Sequence, residues 1–139
     1  MIERYLFRGK RVDNGEWVYG YYVFHPKRKG SFGQTVTEYD SDRHLISSHR
    51  NGEIYEIDPS TVSSCTGLRD KNGKFIFEGD IVRFEDWKYR IFYNLRSGFM
   101  IERMSLPIHV CPLGEYLTEL FFEIIGNVHD NPELLEWRR

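Results

Sequence analysis

The chain has 139 residues, 40% of them hydrophobic and 29% charged, which is the size and balance of one globular domain with a core of its own. A net charge of −2 sets it apart from dedicated nucleic-acid binders, which are strongly basic. No apolar run reaches the roughly 20 residues a membrane-spanning helix needs, Met1-Ile2-Glu3-Arg4-Tyr5 lacks the pattern of a secretory leader, and the two cysteines, Cys65 and Cys111, suit reduced thiols in a cytosol.

Charge and aromatics are unevenly used. Residues 1–30 hold seven Lys/Arg against three Asp/Glu, a balance of +4 that leaves −6 for the remainder. The 10 Phe, 9 Tyr and 3 Trp sit mostly in alternating or turn-bounded runs. Such residues favour pleated, half-buried surfaces, so they predict a mainly β fold. Their alternative use is as a stacking platform for single-stranded nucleic acid.

In chain order, Tyr5-Leu6-Phe7 predicts a short first strand closed by Arg8-Gly9-Lys10-Arg11, and Asp13-Asn14-Gly15 predicts a turn. Residues 16–24 follow as a strand apolar on both faces. Trp17, Tyr19, Tyr21 and Val23 share one face, and Val18, Tyr22 and Phe24 the other. Such a strand is central or covered by another layer. Gly20 within it signals a bulge or a close backbone approach. Residues 25–52 are expected to form a loop excursion holding Pro26 and the basic run Lys27-Arg28-Lys29, with Phe32, Val36, Tyr39, Leu45 and Ile46 as material for a loose hairpin. Ile54-Tyr55-Glu56-Ile57 predicts a strand, ended by one turn at Asp58-Pro59-Ser60-Thr61.

The stretch from Thr66 to Val82 carries the densest local signals. Asn72-Gly73 predicts a type I′ hairpin, and Glu78-Gly79-Asp80 predicts a second turn between Phe75-Ile76-Phe77 and Ile81-Val82-Arg83-Phe84, together a β-meander. Trp87, Tyr89, Ile91 and Tyr93 alternate as an inward face, and Arg96-Ser97-Gly98 turns the chain into Phe99-Met100-Ile101. Residues 106–122 fit helix or strand, with Leu113, Leu117, Leu120 and Phe121 at helical spacing, and Phe121 to Ile125 reads as a last strand. Asn131 as N-cap, Pro132 at the first helical position and Glu133 in the first turn predict a helix over 131–139 held by Leu134, Leu135 and Trp137. These spacings describe one domain over 1–139: a small, partly open barrel or meander of roughly five to eight strands, SH3-like by the Gly-Asp entry to a core strand.

The Thr66–Val82 pattern, with Thr66, Gly67, Asp70, Asn72, Gly73, Glu78, Gly79 and Asp80 as its structural signature, resembles that of the YopX family, small proteins encoded by bacteriophages and prophages. The opening, Phe7-Arg8-Gly9-Lys10-Arg11 through Asp13-Asn14-Gly15-Glu16-Trp17-Val18-Tyr19-Gly20, is similar to that family's start. Ile125-Gly126-Asn127-Val128-His129-Asp130-Asn131-Pro132-Glu133-Leu134-Leu135 is similar to its end. The resemblance implies a phage context in a bacterial host and no particular activity.

Reactive constellations are weak. Gly30-Ser31-Phe32-Gly33 lacks the Lys-Ser/Thr of a phosphate-binding loop. Asp40, Asp42, His44 and His49 have metal-like composition without the paired spacing of a zinc site. Cys65 has no neighbour that would activate a thiolate, and Cys111 beside Pro112 has none either. Glu78, Asp80, Glu85 and Asp86 sit at turns, where carboxylates bond backbone amides or water. The expectation is therefore no enzyme, no cofactor and no metal. Binding is the expected chemistry, through the aromatic face Trp17, Tyr19 and Tyr21 and the basic tip Lys27, Arg28 and Lys29. The partner expected is a protein or a second copy of the chain; the alternative is nucleic acid held by the 25–33 loop between flanking Phe24, His25 and Phe32.

Overall fold

β-Branched and aromatic side chains pack well on a pleated surface, and the described residues use them in eleven strands. The structure, a computed structural model, describes residues 5–27 and 41–136. The strands are β1 (Phe7–Lys10), β2 (Trp17–His25), β3 (Arg43–Ser48), β4 (Ile54–Glu56), β5 (Ser63–Arg69), β6 (Phe75–Phe77), β7 (Asp80–Phe84), β8 (Trp87–Asn94), β9 (Gly98–Arg103), β10 (Val110–Pro112) and β11 (Glu123–Asn127). Among the described residues there is one short α-helix, α1 (Thr118–Phe121). The fold is mainly β, as expected. Its strands make two antiparallel sheets, and neither closes into a barrel among the described residues. Residues 5–62 form one compact unit and 63–136 another.

In the first unit the strands run in the order β4-β3-β2-β1. Val18, Ile46 and Ile57 are its buried centre, with Phe7, Tyr22 and Tyr55 packed on them. Strand β2 is central, but β1 ends where Phe7 faces Gly20, so Tyr21 to His25 pair with β3 alone. Tyr21, Val23 and Phe24 are accordingly exposed. Gly20 marks a close approach and not a bulge: a Cβ there would lie 1.8 Å from the Ser47 carbonyl oxygen. Within the 25–52 stretch, Arg43–Ser48 is strand β3, paired on both sides, with Leu45 and Ile46 buried.

Two turns of this unit are copies of each other. Asn14-Gly15-Glu16 and Asn51-Gly52-Glu53 close the β1–β2 and β3–β4 hairpins. In each, an Asn side chain accepts the Glu amide at 2.9 Å. In each, the Gly amide reaches back four residues, Gly15 to Arg11 at 2.9 Å and Gly52 to Ser48 at 2.8 Å. The glycines take φ of 73° and 72°, a left-handed conformation that costs other residues energy. The same tripeptide meets the same geometric demand twice.

The second unit begins with the β5–β6 hairpin. Its turn is not the type I′ expected from Asn72-Gly73. Asn72 does not take positive φ, Gly73 does (81°), and the Gly73 amide donates to the Asp70 carbonyl at 3.0 Å. This is a three-residue loop ending in a left-handed glycine. The buried Asp70 carboxylate selects it by accepting the amides of Asn72 and Lys74, both at 2.9 Å. Glu78-Gly79-Asp80 also departs from expectation. It makes no meander, because β6 pairs with β5 whereas β7 pairs with β8 and β11. The chain changes sheet there, and Asp80 ties the corner by accepting the Phe77 amide at 2.7 Å.

The five-stranded sheet runs β10-β9-β8-β7-β11. Ile76, Val82, Tyr89, Ile91, Ile101, Leu113 and Phe122 form its core. Tyr93, expected inward, is exposed and stacks edge-on against Phe99 at the end of its hairpin, where the core has run out. Residues 106–122 resolve into β10, a 3₁₀ turn (Leu113–Glu115) and α1. The expected tail helix is a 3₁₀ turn (Pro132–Leu135), because the Asn131 side chain accepts the Asn127 amide behind it and caps nothing ahead. Trp137 lies outside the described residues.

Candidate functional site

The two copied turns border a hollow of about 230 Å³ on the first unit. From the β1–β2 side come Arg11, Glu16, Trp17 and Tyr19; from the β3–β4 side come His49, Arg50, Asn51 and Tyr55. Strand alternation puts Trp17 and Tyr19 on one face. Tyr55 on β4 reaches the same hollow because an Arg11–Ile57 bridge and the Val12 amide donating to Glu56 at 3.1 Å hold the end of β1 against the end of β4.

Cations lie on the aromatic faces. The Arg11 guanidinium stands 4.2 Å from the Tyr55 ring centre, and it grips Asp13 with two hydrogen bonds of 3.0 and 2.6 Å. That pairing raises the Arg11 pKa and holds the Asp13 carboxyl below the usual aspartate range. Arg8 and Lys10 stand 4.8 and 5.4 Å from the Trp17 ring. The Tyr55 hydroxyl donates to Glu53 at 2.7 Å and accepts from Asn51 at 3.3 Å. His49 Nδ1 is 2.8 Å from the Tyr19 carbonyl, which can only accept, so that nitrogen carries the proton and Nε2 is left open in the neutral ring.

Two side chains at the rim are exposed and uncommitted. The Arg50 guanidinium and the Glu16 carboxylate make no hydrogen bond or ion pair among the described residues, although Glu16 adds to the field on Arg11. The hollow thus combines aromatic walls, one available guanidinium and one available carboxylate. This is equipment for binding a planar, polar molecule.

Of the binding residues expected from sequence, Trp17 and Tyr19 line the hollow. Tyr21 is exposed farther along β2, outside the lining. Lys27 is also outside it, and its amide donates to Asp42 at 2.8 Å. Arg28 and Lys29 lie outside the described residues. Sequence inspection missed Arg11, Arg50 and Tyr55; the repeated Asn-Gly-Glu was the available sign that these segments share an environment.

The remaining candidates have separate engagements. Asp42 holds Lys27, the His44 ring bonds the Tyr22 hydroxyl, and His49 meets Tyr19; Asp40 lies outside the described residues. No group of three metal-ligating side chains occurs among the described residues. Cys65 and Cys111 are buried thiols that form no disulfide. The signature residues serve turns: the Thr66 hydroxyl donates to the Ile76 carbonyl at 2.7 Å and accepts the Leu68 amide at 3.1 Å, the Gly67 amide lies 3.4 Å from Cys65 Sγ, and the Glu78 amide donates to Ser64 at 3.0 Å.

The second unit offers a different kind of surface. Leu106, Ile108, Val110, Leu117, Leu120 and Phe121 are all exposed, at 43–63% of their surface, within one short stretch. The stretch includes β10, an edge strand. No helix among the described residues is long and apolar enough to cross a membrane.

Comparison with known proteins places the whole chain. A protein-family model described as YopX protein matches residues 6–136. The crystal structure of protein EF1440 from Enterococcus faecalis is similar at 27% identity, covering 94% of this chain and 96% of that one, with a TM-score of 0.48. No curated protein matches.

Proposed function

For a chain that belongs to the YopX family, we propose the role of a non-enzymatic accessory protein of phage or prophage, a binding module in the bacterial cytosol whose partner is a protein or a second copy of itself. The observation that carries this reading is the exposed apolar stretch from Leu106 to Phe121. Six exposed apolar side chains within sixteen residues are material for a contact site, since exposed apolar surface marks such sites in soluble proteins. Strand β10 has three residues and ends in Pro112, which lacks an amide donor, so strand addition at that edge is blunted. Contact there is made by side chains instead, with Leu117 and Leu120 as anchors.

The test compares wild type with a Leu117→Asp, Leu120→Asp variant, by sedimentation for self-association and by affinity capture from bacterial lysate after nuclease treatment. The reading expects association that survives nuclease and weakens at least about tenfold in the variant, the effect of a charge forced into an apolar contact. Equal association by both proteins would overturn it. The other reading, nucleic acid on the 25–33 loop, draws support from exposed Lys27 beside exposed Phe24, and expects capture that vanishes with nuclease.

A further inference from the structure

We propose that the hollow between the two Asn-Gly-Glu turns is a nucleotide site, selective for bases that carry an exocyclic amine. The inference is independent of the apolar stretch at 106–121. Its volume of about 230 Å³ has room for one base with its sugar, and its walls are the half-buried rings of Trp17, Tyr19 and Tyr55. Aromatic rings stack bases of any sequence; since Trp17 and Tyr55 each carry a cation on a face, the base would stack on the Tyr19 ring or on the opposite faces of the other two. Selectivity then comes from the polar groups that remain available.

Beside the open His49 Nε2, two charged groups remain among the described residues, of opposite sign. Glu16 is an acceptor without a donor among the described residues; adenine, cytosine and guanine each present it an exocyclic amine, which guanine sets beside a ring N–H, whereas thymine and uracil offer only the ring N3–H. Arg50 is a planar guanidinium without an anion, suited to two parallel bonds to a phosphate. Arg11 supplies no such bond, since Asp13 already occupies its fork. Asp13 also balances its charge, so the positive field comes from Lys10 on the Trp17 ring. A phosphate alone would be repelled by Glu16, and an apolar ligand would strand both charges. A base joined to a phosphate satisfies the set.

The same chemistry is offered by a free mononucleotide and by a single-stranded chain. The experiment is calorimetric titration of the whole protein with GMP, with UMP, and with short single-stranded guanine-rich and thymine-rich DNA. The expected result is saturable binding of GMP or the guanine-rich strand, about tenfold tighter than of its uracil or thymine counterpart. If the strand binds and GMP does not, the ligand is a chain; if both bind, it is the nucleotide unit. Arg50→Ala should weaken binding about tenfold and lower its salt dependence by one phosphate contact. Glu16→Ala should erase the preference between bases while the circular dichroism spectrum stays native. Both side chains are exposed, so neither change threatens folding. Absence of saturable binding by wild type, or unchanged affinity and preference in both variants, would overturn the proposal.

Discussion

Single carboxylates do much of the local construction. Asp70 is buried, and its two oxygens accept three amides: Asn72 and Lys74 at 2.9 Å and Ile124 at 3.1 Å. Removing it leaves those donors without the buried acceptor that ties the turn to Ile124. Asp70→Ala should therefore cost about 3 kcal/mol or more, read as a lower urea midpoint with an unchanged slope. Asp13 is the opposite case, exposed and significant only for charge. Its pKa is depressed in the folded state by the Arg11 hydrogen bonds, so its contribution is present above the unfolded value and disappears as pH falls through the folded one. NMR titration should find its carboxyl midpoint below that of an ordinary aspartate, and Arg11→Ala should return it upward. Tyr116 is pushed up to about 12, first by burial and then by the neighbouring Cys111 thiol.

Elements show why some local signals translated directly and others did not. The turns expected at Asn14-Gly15 and Asn72-Gly73 are turns, and Asn51-Gly52, not singled out from sequence, is a third, because a left-handed residue is a local requirement. The turn type did not follow at Asn72-Gly73, since that depended on a carboxylate which the fold buries beside the loop. Glycines likewise carry two different constraints. At Gly52 a Cβ would meet nothing within 4 Å, and only the positive φ opposes it. Gly52→Ala should cost about 1 kcal/mol. At Gly20 the obstacle is the Ser47 carbonyl, so β2 and β3 would have to part. Gly20→Ala should cost about 3 kcal/mol, at the top of the range for overpacking. Thermal unfolding of the two variants side by side checks the contrast. Glu78-Gly79-Asp80 was legible as a turn but not as a change of sheet, because the residues that flank it are equally apolar for either partner.

At the scale of the molecule, the mainly β class, the central place of β2 and the family signature were readable from alternation, turn residues and their order along the chain. Those are properties of neighbours in sequence, and local backbone preference is enough to express them. If the Leu106–Phe121 stretch mediates association, that association should be nearly insensitive to salt between low and physiological ionic strength, since apolar contact is not screened. Sedimentation at two salt concentrations tests this, and strong weakening by salt would speak against it. The hollow was not legible, although Trp17 and Tyr19 were singled out. Tyr55, Arg50 and Arg11 come to it from segments separated by some forty residues, and no local pattern states that β4 returns to the end of β1. Sequence by itself determined the strand-rich character of the chain and most of its turns, because steric limits on the backbone act residue by residue, but not β3, which reads locally as loop, nor the division of residues 106–122. Only the tertiary structure decided which strands became neighbours, which aromatics stayed in solvent and which charges were left without partners, because those depend on long-range pairing and on the shared burial of distant side chains.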